Sequence, residues 1–228
     1  MCNKLINSSL MKKLVFLAFA AVKFAACKQP IKRANVVFVI LLMVKFSVTA
    51  QVVVTQSGLT FNNGEQYVIV ENNLPANENI NQIVRAIKAK HKSPNIKVET
   101  ENNLIIITDF TSGYTKTDKK AGSAYLLDLS YKFVIEVKDN RFRINVPTID
   151  ISANQQYDSN AVVANKGVQF VMTMEFKGKS DVWNSDHKKL FIFDEKGKLV
   201  EKSTKQKLER DLSAVVVIIT EPSNNSDW

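Results

Sequence analysis

One stretch, residues 125 to 146, constrains the fold more than any other. Tyr125, Leu127, Leu129, Tyr131, Phe133, Ile135 and Val137 are apolar on one parity, and Asp128, Ser130, Lys132, Glu136 and Lys138 fall between them. A period of two means a strand with one buried and one wet face. Asp139-Asn140 supplies a two-residue turn, because Asn tolerates positive φ. The returning strand then sets Val137 opposite Phe142, Ile135 opposite Ile144 and Phe133 opposite Val146, all on the buried face. On the wet face Glu136 meets Arg143, a charge pair worth a few tenths to about 1 kcal/mol. A one-residue slip would set apolar against polar throughout, so the pattern fixes the register.

The remaining segments add further strands and two helices. Gln66 to Glu71 reads as a short strand, ended by Leu74-Pro75-Ala76-Asn77, with Asn77 the expected N-cap of a helix. From Glu78 to about His91, Ile80, Ile83, Val84 and Ile87 recur at helical spacing. That spacing puts one apolar stripe on the helix and leaves Arg85, Lys88 and Lys92 near solvent, and Pro94 blocks continuation. Ile96 to Glu101 and Leu104 to Thr108 make a second hairpin around Asn102-Asn103. Residues 111–122 and 150–166 are polar and read as loops. Residues 168–176 alternate as a strand, and Leu190 to Phe193 is a short strand closed by Asp194-Glu195-Lys196-Gly197. Leu208, Leu212, Val215, Val216 and Ile219 have helical spacing, although the β-branched tail from Ala214 to Thr220 also suits a strand. The order predicts an α+β fold: an antiparallel sheet with helices on one face, plus an inserted β segment. No internal repeat is present.

Charge separates the first fifty residues from the rest. They carry eight basic side chains (Lys4, Lys12, Lys13, Lys23, Lys28, Lys32, Arg33, Lys45), no acidic one, and both cysteines, Cys2 and Cys27. Of the chain's 31 Lys and Arg this leaves 23 against 22 Asp and Glu in residues 51–228, so the formal +9 falls to +1. Two apolar runs, Leu14 to Ala26 and Val36 to Val44, each follow basic residues, and the second closes on Val48-Thr49-Ala50. This is the layout of a secretory signal peptide, with cleavage expected before Gln51. Two alternatives stay open: a lipobox-like Phe24-Ala25-Ala26-Cys27, which would lipidate Cys27, and an uncleaved anchor. Residues 51–228 contain no cysteine, hence no disulfide framework or thiolate site, and are long enough to bury a core.

This layout resembles a family of exported Bacteroidota proteins, a domain of unknown function with a fold like the TATA-binding protein (strand, helix, four strands, helix). The residues that carry the resemblance run from Leu129 to Arg143: an aromatic and aliphatic strand, the Asp139-Asn140 turn, and Arg141-Phe142-Arg143. The leader ending in Ala50-Gln51, the helix before the hairpins and the terminal Asp227-Trp228 also look familial. The likeness covers 61–150 well and the C-terminal helix loosely, and departs at Asn140, where Gly is commoner, and in a first helix without Trp. It divides the chain into a leader at 1–50 and one domain at 51–228, with a core at 61–150, an insertion at 151–198 and a C-terminal helix at 199–220. What it implies is fold and export; it brings no catalytic residues.

Candidate chemical groups each meet a simpler reading. His91 closes a helix, where a cation suits the negative end of the dipole. Asp186-His187 lacks any G-x-S-x-G nucleophile and reads as a solvated turn, and two histidines are too few for a histidine zinc site. Glu99, Glu101 and Asp109 share a hairpin, and Asp194 with Glu195 a turn; all read as surface charge, since sequence places no pair across a cleft. Asp181, Asn184 and Asp186 resemble half a calcium loop without its Gly and distal Glu, which suits Asx turns. The glycines at 113, 122, 167, 178 and 197 are isolated and cradle no phosphate. Acidic residues dilute the lysine-rich stretches Lys116 to Lys120 and Lys196 to Arg210.

The wet face (Asp128, Ser130, Lys132, Glu136, Lys138, Arg141, Arg143) is of mixed sign and lacks apolar wedges, which together with a near-neutral domain excludes nucleic acid. The expectation is an exported domain, periplasmic or secreted, with association to the outer membrane left open. It is a non-enzymatic binding or structural module with no catalytic, metal or cofactor residues, and its partner is an envelope protein or glycan held by the wet face or the 150–190 insertion. Membrane contact is expected only through an uncleaved leader or a lipidated Cys27. The alternative is an envelope hydrolase that works by carboxylates alone.

Overall fold

The computed structural model describes residues 50–117, 124–155, 170–183 and 187–221. The apolar leader runs, Cys27 and Asp227-Trp228 lie outside them. The described residues belong to a single unit of the chain, Thr49–Trp228.

Among the described residues ten strands and two helices succeed one another in order: β1 Val52–Thr55, β2 Gly58–Phe61, β3 Tyr67–Glu71, α1 Ala76–Lys90, β4 Lys97–Glu101, β5 Leu104–Lys116, β6 Leu126–Lys138, β7 Arg141–Asn145, β8 Thr148–Gln155, β9 Phe170–Lys177, β10 His187–Phe193 and α2 Lys202–Thr220. The fold is α+β. Strand β3, helix α1, strands β4 to β7 and helix α2 form the expected succession, with β8 to β10 inserted before α2. The main sheet has eight strands in the order β10-β9-β8-β6-β5-β4, and β7 leaves β6 to pair with β3. All its pairs are antiparallel except β9 with β10. That exception departs from the expected antiparallel sheet. The chain leaving β9 runs back past the far side of β10, where Asp181 bridges Lys189 antiparallel, before β10 begins.

The two hairpins form in the expected registers. Glu136 faces Arg143, Val137 faces Phe142 and Ile135 faces Ile144, while Glu101 faces Leu104 across Asn102-Asn103. Asn102 and Asn140 adopt φ of 51° and 63°, the left-handed turn conformation that Asn accepts. The expected Phe133–Val146 pair is absent from the ladder. Between Ile144 and Thr148 lie four steps of chain against three between Lys132 and Ile135, so one extra residue enters at Val146-Pro147. Pro has no N–H to give the ladder. The extra residue switches the inward parity from Phe142 and Ile144 to Ile151 and Ala153, all of them buried.

Two segments expected to be loops are strand in part. Residues 111–116 continue β5 past a register shift between Thr111 and Thr115. Gly113 takes φ +61° there, and its N–H and the Ser112 hydroxyl donate to Asp128 Oδ1. Residues 150–155 lie in β8; residues 118–123 and 156–169 lie outside the described part. The β1–β2 hairpin is an element the sequence pattern did not predict: Val52, Val54, Leu59 and Phe61 are buried on one parity. Its outer edge is satisfied by α2, since the Val52 N–H donates to Ser213 Oγ and the Val54 N–H to Glu209 Oε1, both at 2.9 Å.

The helices and this hairpin cover one face of the sheet. α1 buries Asn79, Ile83, Ala86 and Ile87. α2 buries Leu208, Leu212, Val215, Val216 and Ile219, so its β-branched tail is helical. Asn77 is not the N-cap of α1. Pro75 holds that position, and the free Ala76 N–H donates to Asp139 Oδ1 of the β6–β7 turn at 2.9 Å. A residue 63 positions away thus caps the helix.

Candidate functional site

Two polar constellations stand out, one under the helices and one on the open face. The first is centred on Asp109, whose side chain is 3% exposed. It lies on the inward parity of β5 with Ile105 and Ile107, opposite in facing to Glu99 and Glu101, which are exposed. The three carboxylates therefore do not converge. Asp109 Oδ1 accepts from the Ser93 hydroxyl at 2.5 Å and the Phe110 N–H at 2.8 Å. Its Oδ2 lies 3.0 Å from His91 Nε2 and accepts from the Tyr131 hydroxyl at 3.3 Å. A carboxylate only accepts, so His91 carries its proton on Nε2. Burial, then the Asp109 charge beside it, pushes the Tyr131 phenol far above its ordinary range. His91 is the C-cap residue of α1, its N–H donating to Ile87 O at 2.9 Å, and in addition its ring holds Asp109. Ser93 donates to the carboxylate and not to His91, so the three do not form a serine–histidine–aspartate relay. It ties the end of α1 to β5 and β6.

The second constellation occupies the sheet face opposite the helices. The strand registers bring Ile69, Arg143, Glu136 and Leu104 into one cross-strand row, with Tyr67 facing Asn145 beside it. Arg143 donates to Glu136 Oε1 and Asn145 Nδ2 donates to the same oxygen at 3.2 Å. The hydrogen bond from Arg143, then that from Asn145, holds the Glu136 carboxyl below its usual range. The Arg143 guanidinium also stands 5.4 Å from the centre of the Tyr67 ring. Its Nε is buried and has no hydrogen-bond partner among the described residues. Tyr67 is 41% and Ile69 51% exposed. Ile69, Glu136, Lys138, Arg141, Phe142 and Arg143 line an open hollow here. Aromatic, aliphatic and fork-shaped charged groups are thus held in fixed places on a water-facing sheet.

The other candidates disperse. His187 is the exposed first residue of β10, not part of a turn; Asp186 and Asn184 lie outside the described residues. Asp181 makes an Asx turn, accepting from the Trp183 N–H at 3.1 Å. Asp194 accepts from the Lys198 N–H at 2.8 Å within its turn. Lys205 pairs with Glu209 and Arg210 with Asp211 on α2. Among the described residues no group of His, Cys, Asp and Glu is placed to hold a metal ion, and no helix is long and apolar enough to cross a membrane.

No protein-family model matches the chain, and no curated protein matches it. Among solved structures, it is similar to a TBP-like protein from Parabacteroides distasonis ATCC 8503, at 20% identity over 69% of this chain and 92% of that one, with a TM-score of 0.37. It is also similar to a DUF4468 family protein from Bacteroides ovatus ATCC 8483, at 8% identity over 70% of this chain and 86% of that one, with a TM-score of 0.38. These are neighbours of the kind the Leu129–Arg143 hairpin led us to expect, a TBP-like protein and a protein of a family without assigned function, both from Bacteroidales. Nothing about ligand or activity is carried over from them.

Proposed function

We propose that the domain is an exported, non-enzymatic binding module of the cell envelope, and that it holds a protein partner on the open face of its sheet around Tyr67, Ile69, Glu136 and Arg143. The observation that carries the reading is the cluster itself: an exposed aromatic and an exposed aliphatic side chain beside a guanidinium fixed by a carboxylate and a ring, with an amide bracing that carboxylate. Arginine and aromatic anchors of this kind concentrate binding energy at protein interfaces. A protein is favoured over a glycan because Arg143 already stands over the Tyr67 ring that a sugar would need for stacking. The hydrolase reading needs two converging carboxylates, and Asp109 faces away from Glu99 and Glu101 and is engaged by four neighbouring groups. Export is supported by the leader pattern of residues 1–50.

The test is affinity capture from envelope extract with the wild type and with the Glu136→Ala/Arg143→Ala double variant. A protein retained by the wild type and released by the variant is the expected result. Equal retention by both, or no retained protein, counts against the open face.

A further inference from the structure

β3 is an unguarded edge of the main sheet. In its ladder with β7 the Val146 N–H donates to Gln66 O and the Asn72 N–H to Asn140 O, both at 2.8 Å. Even-numbered residues therefore occupy the hydrogen-bonded positions. Tyr67, Ile69 and Glu71, which alternate with them, turn their N–H and C=O groups to the outer side. Among the described residues none of these groups has a hydrogen-bond partner.

The other edges are protected. β4 exposes Lys97, Glu99 and Glu101, so a second β4 centred on Glu99 would set carboxylate against carboxylate. β10 is bridged along its outer side by Asp181 to Lys189 and by Leu199 to Phe193. By contrast β3 reads Tyr-Val-Ile-Val-Glu, with none of the Lys, Pro or bulge that commonly blunts an edge. Val68 and Val70, on its inner face, are only half-buried.

We infer that β3 pairs antiparallel with β3 of a second copy, about a two-fold axis that passes beside Ile69 perpendicular to the sheet. The strand is self-complementary in that register. Ile69 faces Ile69 of the partner subunit, Val68 faces the partner's Val70, and Tyr67 faces the partner's Glu71. Every outward N–H and C=O of Tyr67, Ile69 and Glu71 gains a partner, because all of them fall at hydrogen-bonded positions. The charges agree as well. Glu71 lies opposite Arg141 of its own ladder, so the tyrosine that approaches it meets a carboxylate with a basic residue beside it in the sheet. The two Arg143 side chains stand three strand spacings apart, about 14 Å, which exceeds the physiological screening length of about 8 Å. An axis perpendicular to the sheet leaves both open faces on one side, so the two Tyr67–Arg143–Glu136 clusters share a continuous surface. The contact is isologous and closes as a dimer. This pairing does not depend on the identity of the envelope partner.

The experiment is sedimentation equilibrium of the protein in the form isolated from cells, over a wide concentration range, for the wild type and Ile69→Lys. The expected result is a reversible monomer–dimer equilibrium that Ile69→Lys weakens roughly tenfold or more, with an unchanged circular dichroism spectrum. A second arm uses Ile69→Cys and Tyr67→Cys under mild oxidation, with peptide mapping to separate these links from any through Cys2 or Cys27. Facing Cα atoms at a hydrogen-bonded pair are about 5.5 Å apart, within disulfide reach. Two copies of residue 67 stand about 14 Å apart. A 69–69 link without a 67–67 link is therefore expected. A monomer at all concentrations, a dimer indifferent to Ile69→Lys, or a 67–67 link overturns the inference.

Discussion

At the scale of single residues, the stability of the domain rests on groups that the sequence scatters. Asp109 gathers a serine, a backbone N–H, a tyrosine and a histidine in a buried place. Removing the acceptor strands several donors at once, each worth about 1–3 kcal/mol when left unmade. Asp109→Ala should therefore lose about 3 kcal/mol in urea unfolding, and Tyr131→Phe only about 1 kcal/mol. The signal for this hub was present in the sequence: Asp109 shares the parity of Ile105 and Ile107, and an acid on a buried parity needs partners. That His91 and Ser93 supply them comes from the way α1 returns onto β5, which no local pattern encodes. Glu136 gives a pH dependence. Its folded pKa lies below its unfolded one, so its contribution is complete above the ordinary carboxylate range and lost as the pH falls through the lowered value. Glu136→Gln should flatten the acid limb of the stability–pH curve by less than about 1 kcal/mol, as suits a half-exposed pair. Tyr114 and Tyr131 act at the other end. Burial foremost raises both phenols, so their contribution is full below pH about 10 and is lost as the pH rises beyond it. Alkaline unfolding should be delayed in Tyr131→Phe once the two proteins are compared at equal starting stability.

At the scale of elements, strict alternation made β6 and β7 legible down to the register, since a slip would have exposed every apolar residue of the pair. The same logic failed one residue further on. Val146-Pro147 inserts an extra position and reverses the parity of β8, and its polar members Asp150 and Ser152 then read as loop. Residues 111–116 failed likewise, because the shift at Gly113 interrupts the alternation that continues through Thr115 and Thr117, both buried. The tail of α2 shows packing overruling propensity: Val215, Val216 and Ile219 sit at helical spacing against the core, and that decides against the strand their side chains would prefer. Val52, Val54, Leu59 and Phe61 do alternate, but beside the apolar leader that pattern does not stand apart. Two substitutions test this level. Asn140→Ala puts a residue that disfavours the left-handed region at a φ of 63° and should cost about 1 kcal/mol in thermal or urea unfolding. Gly178→Ala places a methyl group 2.5 Å from the Phe191 ring, where the chain leaves β9, and should cost about 1–3 kcal/mol through overpacking.

At the scale of the molecule, the sheet divides the domain into a side that folds it and a side that faces outward. Helices α1 and α2 and the β1–β2 hairpin close over the inner face, and the outer face keeps the Tyr67–Arg143–Glu136 cluster. The binding reading and the β3 pairing both use that outward side, and the first of them presumes that the domain meets the envelope. The first described elements lie close to the expected cleavage point: β1 starts at Val52, and Gln51 O accepts from the Asn62 N–H at 2.9 Å. Cleavage there leaves β1 to β10 and both helices in the mature chain and removes one buried core residue, Ala50. The most direct measurement is the N-terminal mass of the protein from fractionated cells. A chain starting at Gln51, recovered from the periplasm or the medium, is the predicted result. A chain that retains its leader and is recovered with the cytosol would contradict an exported binding module.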